Sequence, residues 1–107
     1  MAKPGFWLLT VAWSVLAAAS AFAADVVVQQ RDLAFNPEKI ELKVGDTLVF
    51  TNEDNYGHNM HSDSPGAEFD LGRQAPGTRV PYTFKKAGTF EVFCRIHPKM
   101  RLEVVVK

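Results

Sequence analysis

The seven residues from Cys94 to Met100, with the sequence CRIHPKM, contain the one cysteine of the chain, one of its three histidines and one of its three methionines. Before them, residues 89–94 (TFEVFC) place three apolar side chains on one face, and after them residues 102–106 (LEVVV) do the same. A period of two is typical of a half-buried β-strand. The spacing therefore predicts two strands joined by a tight loop that carries Cys94, His97 and Met100.

Short strand signals separated by turn signals recur along the rest of the chain. Gly45-Asp46 and residues 52–57 (NEDNYG) are typical turn sequences. Pro81 lies inside one strand-like segment and predicts an edge or bulged strand, because proline has no N–H to donate. About seven or eight short strands, with poor helical signals, predict an all-β sandwich. The predicted strands are residues 25–30, 40–44, 47–51, 58–62, 69–72, 80–84, 89–94 and 102–106.

Ligand-type side chains also occur upstream, in residues 55–61 (NYGHNMH). Taken singly, a cysteine or a methionine is most often core filler, and a loop histidine is most often solvated. Together, the Cys94 thiolate, the His58 and His97 imidazoles and the Met100 thioether form a soft ligand set. A His₂Cys trigonal plane with a weak axial methionine is the arrangement of blue-copper electron-transfer sites.

Zinc is the alternative metal, since it also binds cysteine and histidine. Met100 counts against zinc, because thioether ligands favour copper. A lone cysteine excludes an intramolecular disulfide framework, and a metal is then the remaining staple for a small core.

Residues 1–23 have the pattern of a secretory signal peptide. Lys3 gives a positive start, residues 6–19 form a short apolar core, and Ala21-Phe22-Ala23 is a small-x-small cleavage pattern. The alternative is a membrane anchor, but the apolar stretch is short for a span of about 20 residues and no basic cluster follows it. We therefore expect a signal peptide at 1–23, one domain at 24–107, a periplasmic location, and no stable membrane insertion after cleavage.

The composition excludes other classes of protein. The 107 residues are enough for one small domain. The 12 Lys+Arg balance the 12 Asp+Glu, which argues against a nucleic-acid-binding protein. The hydrophobic content of 47% and the aromatic content of 11% are too high for a disordered chain.

On these residues the chain resembles the cupredoxins, a family of small blue copper proteins, and among them the amicyanin-like and plastocyanin-like members. The C-x-x-H-P-x-M pattern of residues 94–100 is similar to the short ligand loop of amicyanins, and His58-Asn59 is similar to the first-ligand motif. Residues 69–72 (FDLG) resemble exported cupredoxins of the methylamine-utilisation type. The resemblance covers nearly all of residues 25–107.

The resemblance implies an eight-stranded Greek-key sandwich that holds one copper ion near one end. It assigns His58, Cys94 and His97 as the strong ligands and Met100 as the axial ligand. It also implies that Asn59 ties the two ligand loops together. Arg95 departs from the family, which often has threonine or serine after the cysteine, so the tie is expected to use backbone groups or to be weaker.

The resemblance further implies a type 1 copper protein that acts as a soluble one-electron carrier and is not an enzyme. Its expected partner is a redox protein, such as a dehydrogenase, a cytochrome or an oxidase, that docks near His97, and the chain is expected to be a monomer. The alternative is a periplasmic copper-binding protein for copper tolerance, storage or delivery, with the same ligands. A copper oxidase or nitrite reductase would need a second copper centre, and three histidines with two already used are too few for one. A metal-free immunoglobulin-like domain would leave the ligand cluster to coincidence.

Two groups of side chains near the predicted site have more than one interpretation. Arg95, Lys99 and Arg101 form either a solvated rim or a basic docking patch for an acidic partner. Met60 is expected to pack beneath the site, while His61 is expected to point to the surface or, alternatively, to form a second, weaker copper patch.

Overall fold

The computed structural model describes Gly5 and residues 22–107, which form nine β-strands and no helix. Polar turns separate segments rich in β-branched and aromatic residues, which favour strands. The predicted all-β sandwich is confirmed. The strands are β1 (Asp25–Arg31), β2 (Ala34–Asn36), β3 (Lys39–Leu42), β4 (Thr47–Asn52), β5 (His58–Ser62), β6 (Phe69–Gln74), β7 (Arg79–Thr83), β8 (Gly88–Cys94) and β9 (Arg101–Val106).

The strands form two sheets, with the orders β2-β1-β4-β7 and β3-β9-β8-β5-β6. The pairs β1·β4 and β3·β9 are parallel, and the other pairs are antiparallel. Strand β7, which contains Pro81, lies at an edge of its sheet, as the missing N–H donor predicted.

The structure has one strand more than the eight segments predicted. The additional strand is β2, which is three residues long and forms a hairpin with β1. Asp32 and Leu33 form its turn with positive φ angles of 53° and 60°. Such φ values are typical of two-residue hairpin turns. The sequence pattern did not predict β2 because three residues are too few to show an alternation of apolar and polar side chains.

The core lies between the sheets and is formed by the inward faces of the strands. The alternation predicted for β8 and β9 is confirmed by their burial. Val44, expected on the buried face with Leu42, is 49% exposed because it lies beyond the end of β3. The buried apolar side chains of the core include Val28, Phe35, Leu48, Phe50, Phe84, Val92 and Leu102.

The topology brings the predicted ligands to one end of the sandwich. Strand β8 ends at Cys94 and β9 begins at Arg101, so the loop between them lies at that end. Strand β5 is hydrogen-bonded to β8, with Met60 opposite Cys94, and its first residue is His58.

The predicted signal peptide, apart from Gly5, Phe22 and Ala23, lies outside the described residues. Among the residues that the structure describes, none belongs to a helix with the length and apolar character needed to cross a membrane.

Candidate metal centre

The loop between β8 and β9 is folded back on itself by backbone hydrogen bonds. The N–H of Cys94 donates to the carbonyl of Met100 at 3.2 Å, and the N–H of Met100 donates to the carbonyl of His97 at 2.9 Å. Cys94 and Met100 are buried, while His97 is partly exposed. Three of the predicted ligands are therefore held together on one short loop.

The structure brings His58, Cys94 and His97 to a common point. Cys94 Sγ lies 3.7 Å from His58 Nδ1 and 3.9 Å from His97 Nδ1. The three donor atoms all lie within 4.8 Å of one another. Bonds of about 2.0 Å to nitrogen and about 2.3 Å to sulfur, set about 120° apart around one ion, would separate sulfur from nitrogen by about 3.7 Å. Both sulfur–nitrogen distances are therefore close to those expected around a single ion.

Met100, the fourth predicted ligand, is 1% exposed. Its backbone contacts with Cys94 and His97 fix its position at the end of the ligand loop. The Met100 thioether is a soft donor of the kind that copper accepts and that hard cations do not.

The Asp54 carboxylate fixes the orientation of His58. Its Oδ2 lies 2.8 Å from His58 Nε2. Because Nδ1 faces Cys94, the ring proton belongs on Nε2, which then donates to the carboxylate. A carboxylate behind a ligating histidine sets its tautomer and raises its basicity.

Asp54 itself is buried and accepts further hydrogen bonds. The backbone N–H of Asp32 donates to Oδ1 at 2.7 Å, and that of Leu33 donates to Oδ2 at 3.2 Å. Burial raises the pKa of Asp54, but the hydrogen bonds from His58, Asp32 and Leu33 lower it by more, so the net pKa lies below its ordinary value. The carboxylate therefore stays ionised and joins the β1–β2 turn to His58.

Asn59 ties the two ligand segments together through its backbone. Its N–H donates to Cys94 Sγ at 3.3 Å, and its carbonyl accepts from the N–H of Arg95 at 3.2 Å. The Asn59 side chain instead donates to Asp70 Oδ1 and to the carbonyl of Gly72. The tie thus uses backbone groups, which is one of the two outcomes expected from the presence of Arg95.

The partly exposed His97 is surrounded by apolar side chains. Leu33 and Ile96 are 46% and 50% exposed, and together with Pro98 they line a shallow depression beside His97. We call Leu33, Ile96, His97 and Pro98 the His97 surface. The Tyr56 ring lies edge-on to this group, 5.4 Å from the His97 ring between centroids.

The three cations near the ligand loop differ in their surroundings. Arg95 Nη1 lies 3.7 Å from an oxygen of Asp70. Arg101 pairs with Glu91 and lies over the ring of Phe93. Arg95 and Arg101 thus lie next to carboxylates. The exposed Lys99 lines the depression, and the face next to His97 is mainly apolar.

Met60 is fully buried opposite Cys94, in agreement with the expected packing beneath the site. His61 lies opposite Phe93 on the outward face of its sheet, as expected, although only 13% of its side chain is exposed. Its ring packs against Phe93 and its Nε2 lies 2.6 Å from Asp63. A β-bulge between Asn59 and His61 shifts the register with β6, while His58, Met60 and Ser62 keep the inward face of β5. Among the described residues, His58, Cys94 and His97 form the only group of three His, Cys, Asp or Glu donors that converge.

Asp54 and Tyr56 are site residues that sequence reasoning missed. Both lie in the polar segment NEDNYG, which indicated only a turn. The four-residue separation of Asp54 from His58 is the one available signal, and it is too common to identify a partner.

A family model described as copper binding proteins of the plastocyanin/azurin family matches residues 22–107. Amicyanin from Paracoccus denitrificans is 31% identical over 98 residues, which are 88% of this chain and 74% of that protein. A solved Cu(I) structure of a variant amicyanin superposes with a TM-score of 0.73 at 28% identity, covering 78% of this chain and 82% of the other.

Two further similarities extend to longer proteins. Chloroplastic plastocyanin from Fritillaria agrestis is 34% identical over 107 residues, which are 87% of this chain and 64% of that protein. A copper-containing nitrite reductase from Thermus scotoductus superposes with a TM-score of 0.71 at 32% identity over 78% of this chain. This chain covers 22% of that enzyme's chain.

Proposed function

This chain belongs to the plastocyanin/azurin family of copper-binding proteins, and we propose that it is a one-electron carrier. In this proposal His58, Cys94, His97 and Met100 would hold one copper ion. The observation that carries the proposal is the convergence of one thiol and two imidazoles at sulfur–nitrogen distances of 3.7 Å and 3.9 Å.

A bound copper ion would supply the one-electron redox chemistry, Cu(II)/Cu(I), at this site. Electron transfer is fast when the ligands move little between the two oxidation states, and hydrogen bonds restrain two of the proposed ligands, His58 and Cys94. Asp54 orients the His58 ring, and the N–H of Asn59 donates to the Cys94 sulfur. Hydrogen bonds to the sulfur and the apolar packing around it also tune the reduction potential.

The His97 surface provides the route to a partner. His97 is the ligand that reaches solvent, while His58 and Cys94 are both 0% exposed. An electron that leaves through the His97 ring crosses a mainly apolar surface, with the charged Lys99 at its edge. We assign the docking of a dehydrogenase, cytochrome or oxidase to this surface, with the carrier acting as a monomer.

The location follows from the leader-like sequence of residues 1–23. Export to the periplasm, with residues 24–107 as the working domain, is part of the proposal. The free thiol suits that compartment because Cys94 is buried and would be a copper ligand there.

Cyclic voltammetry of the copper-loaded chain, before and after exposure to a Cu(I) chelator, tests the carrier role. We expect a reversible one-electron wave that persists, with no copper lost to the chelator. Spontaneous transfer of the copper to an acceptor would contradict the carrier role and favour copper delivery. Catalytic turnover of nitrite by the isolated chain would contradict the proposal that it is not an enzyme.

A further inference from the structure

At the end of the sandwich opposite the metal centre, Ala24 is held by two hydrogen bonds. Its N–H donates to Asp46 Oδ1 at 2.9 Å, and its carbonyl accepts from the N–H of Thr47 at 2.9 Å. Ala24 lies immediately before β1, whose first residue, Asp25, is opposite Thr47 in the parallel β1·β4 pair. The first strand is therefore anchored at the nitrogen of Ala24.

The Asp46 carboxylate that receives this nitrogen is 7% exposed. Its second oxygen accepts from the N–H of Lys43 at 2.8 Å, and its own backbone bonds to Lys43 and Phe84. The hydrogen bond from the Ala24 N–H, followed by that from the Lys43 N–H, lowers the pKa of Asp46. Asp46 is thus a fixed anion whose position is set by the turn between β3 and β4.

The sequence places a cleavage pattern immediately before the same nitrogen. Ala21-Phe22-Ala23 is the small-x-small pattern, and cutting after it would make Ala24 the first residue. Phe22, Ala23 and Ala24 are exposed, and the bond between Ala23 and Ala24 precedes the first strand. A protease could therefore cut this bond without breaking any strand.

We propose that a leader peptidase hydrolyses the Ala23–Ala24 peptide bond and that the new α-ammonium of Ala24 forms a permanent ion pair with Asp46. Water adds its hydroxyl to the Ala23 carbonyl carbon and a proton to the Ala24 nitrogen, which takes up a further proton at neutral pH. The proposal rests on the proposed export and is independent of the copper chemistry.

Processing changes the strength of an interaction that already exists. An amide donates one neutral N–H to Asp46, whereas an ammonium donates a charged one, and charge-assisted bonds are about twice as strong as neutral ones. Chain termini fray unless they are tied down. The pair thus keeps β1 in register with β4 after the leader has been removed.

Intact mass spectrometry of the protein exported from the full-length precursor tests the cleavage. We expect a chain that begins at Ala24, and a different first residue would overturn the proposal.

Urea unfolding of four copper-loaded chains then tests the ion pair. The chains begin at Ala24 or at Phe22, each with Asp46 or with Asp46→Asn. We expect Asp46→Asn to raise the unfolding equilibrium constant about fivefold more in the Ala24 chain than in the Phe22 chain. An equal change in the unfolding equilibrium constant in the two chains would overturn the proposed ion pair.

One control variant and one chemical modification keep the test decisive. Asp25→Asn removes an adjacent carboxylate that does not accept from Ala24, and we expect it to act equally in both chains. If Asp46→Asn prevents folding, acetylation of the Ala24 amine replaces it as the test. Acetylation removes the positive charge and keeps one N–H, so we expect it to raise the unfolding equilibrium constant about fivefold. No change on acetylation would overturn the pair, while a chain that folds but fails to bind copper would contradict only the carrier proposal.

Discussion

Replacing Asp54 with asparagine removes one negative charge and one acceptor from the support of His58. The carboxylate accepts from His58, Asp32 and Leu33, and asparagine offers one oxygen and one NH₂ in its place. If the NH₂ turns toward the Asp32 N–H, the bonds from His58 and Leu33 are kept, but the partly buried Asp32 N–H loses its acceptor. An unsatisfied donor costs about 1–3 kcal/mol, and each saved bond loses its charge assistance, so we expect a loss of about 2–4 kcal/mol.

Urea unfolding of the copper-free chain measures this loss. Glu53→Gln is the matched control, because it makes the same chemical change one residue away, in an exposed pair with Arg31. We expect Glu53→Gln to cost less than about 1 kcal/mol. In the copper-loaded protein, Asp54→Asn should also raise the reduction potential, since a less basic His58 stabilises Cu(II) less.

Equal stability losses in the Asp54 and Glu53 variants would refute the role of Asp54 as the buried support of His58. An unchanged reduction potential in Asp54→Asn, with the copper still bound, would refute its electronic effect on the site.

Three other predictions separate the roles of further residues. Met100→Ala and Met60→Ala both remove a buried methionine, and each should lower the free energy of unfolding by about 2–5 kcal/mol. Only Met100→Ala should alter the electron paramagnetic resonance spectrum of the bound copper. Identical spectra for the wild type and Met100→Ala would exclude Met100 as a ligand. Ile96→Glu on the His97 surface should slow electron exchange with a partner protein in stopped-flow measurements. Val44→Glu, which is similarly exposed at the opposite end, should not slow it. Equal rates for the two variants would contradict docking at the His97 surface. The pKa of Asp46 is lower in the folded than in the unfolded chain. Its contribution to stability is therefore complete above the unfolded pKa of about 3.9 and is lost as pH falls through the folded pKa. Asp46→Asn should flatten the acid side of a stability–pH profile, and an unchanged slope would contradict this.

The ligand residues were predictable because their chemistry is local. Cys94, His97 and Met100 lie within one seven-residue segment, and a hairpin loop necessarily holds such neighbours close together. His58 was predictable only as part of the complete ligand set, since pairing of β5 with β8 is what places it beside Cys94.

The supports of the site were not predictable, because they depend on tertiary contacts between distant segments. Asp54 contacts the β1–β2 turn across more than twenty positions of sequence. The partial covering of His61 comes from Phe93 of β8, a contact that the sequence pattern of β5 alone does not show. The neighbours of Arg101 are contributed by β8, and the sequence showed only a run of cations.

A Cu(II) titration of the chain Ala24–Lys107, followed by visible absorption and electron paramagnetic resonance, tests the central claim most directly. The structure predicts an intense thiolate-to-copper charge-transfer band that saturates at one copper per chain and is absent in Cys94→Ser. A weak colour with ordinary tetragonal copper signals, or a band that survives in Cys94→Ser, would contradict the assignment of Cys94 as a copper ligand.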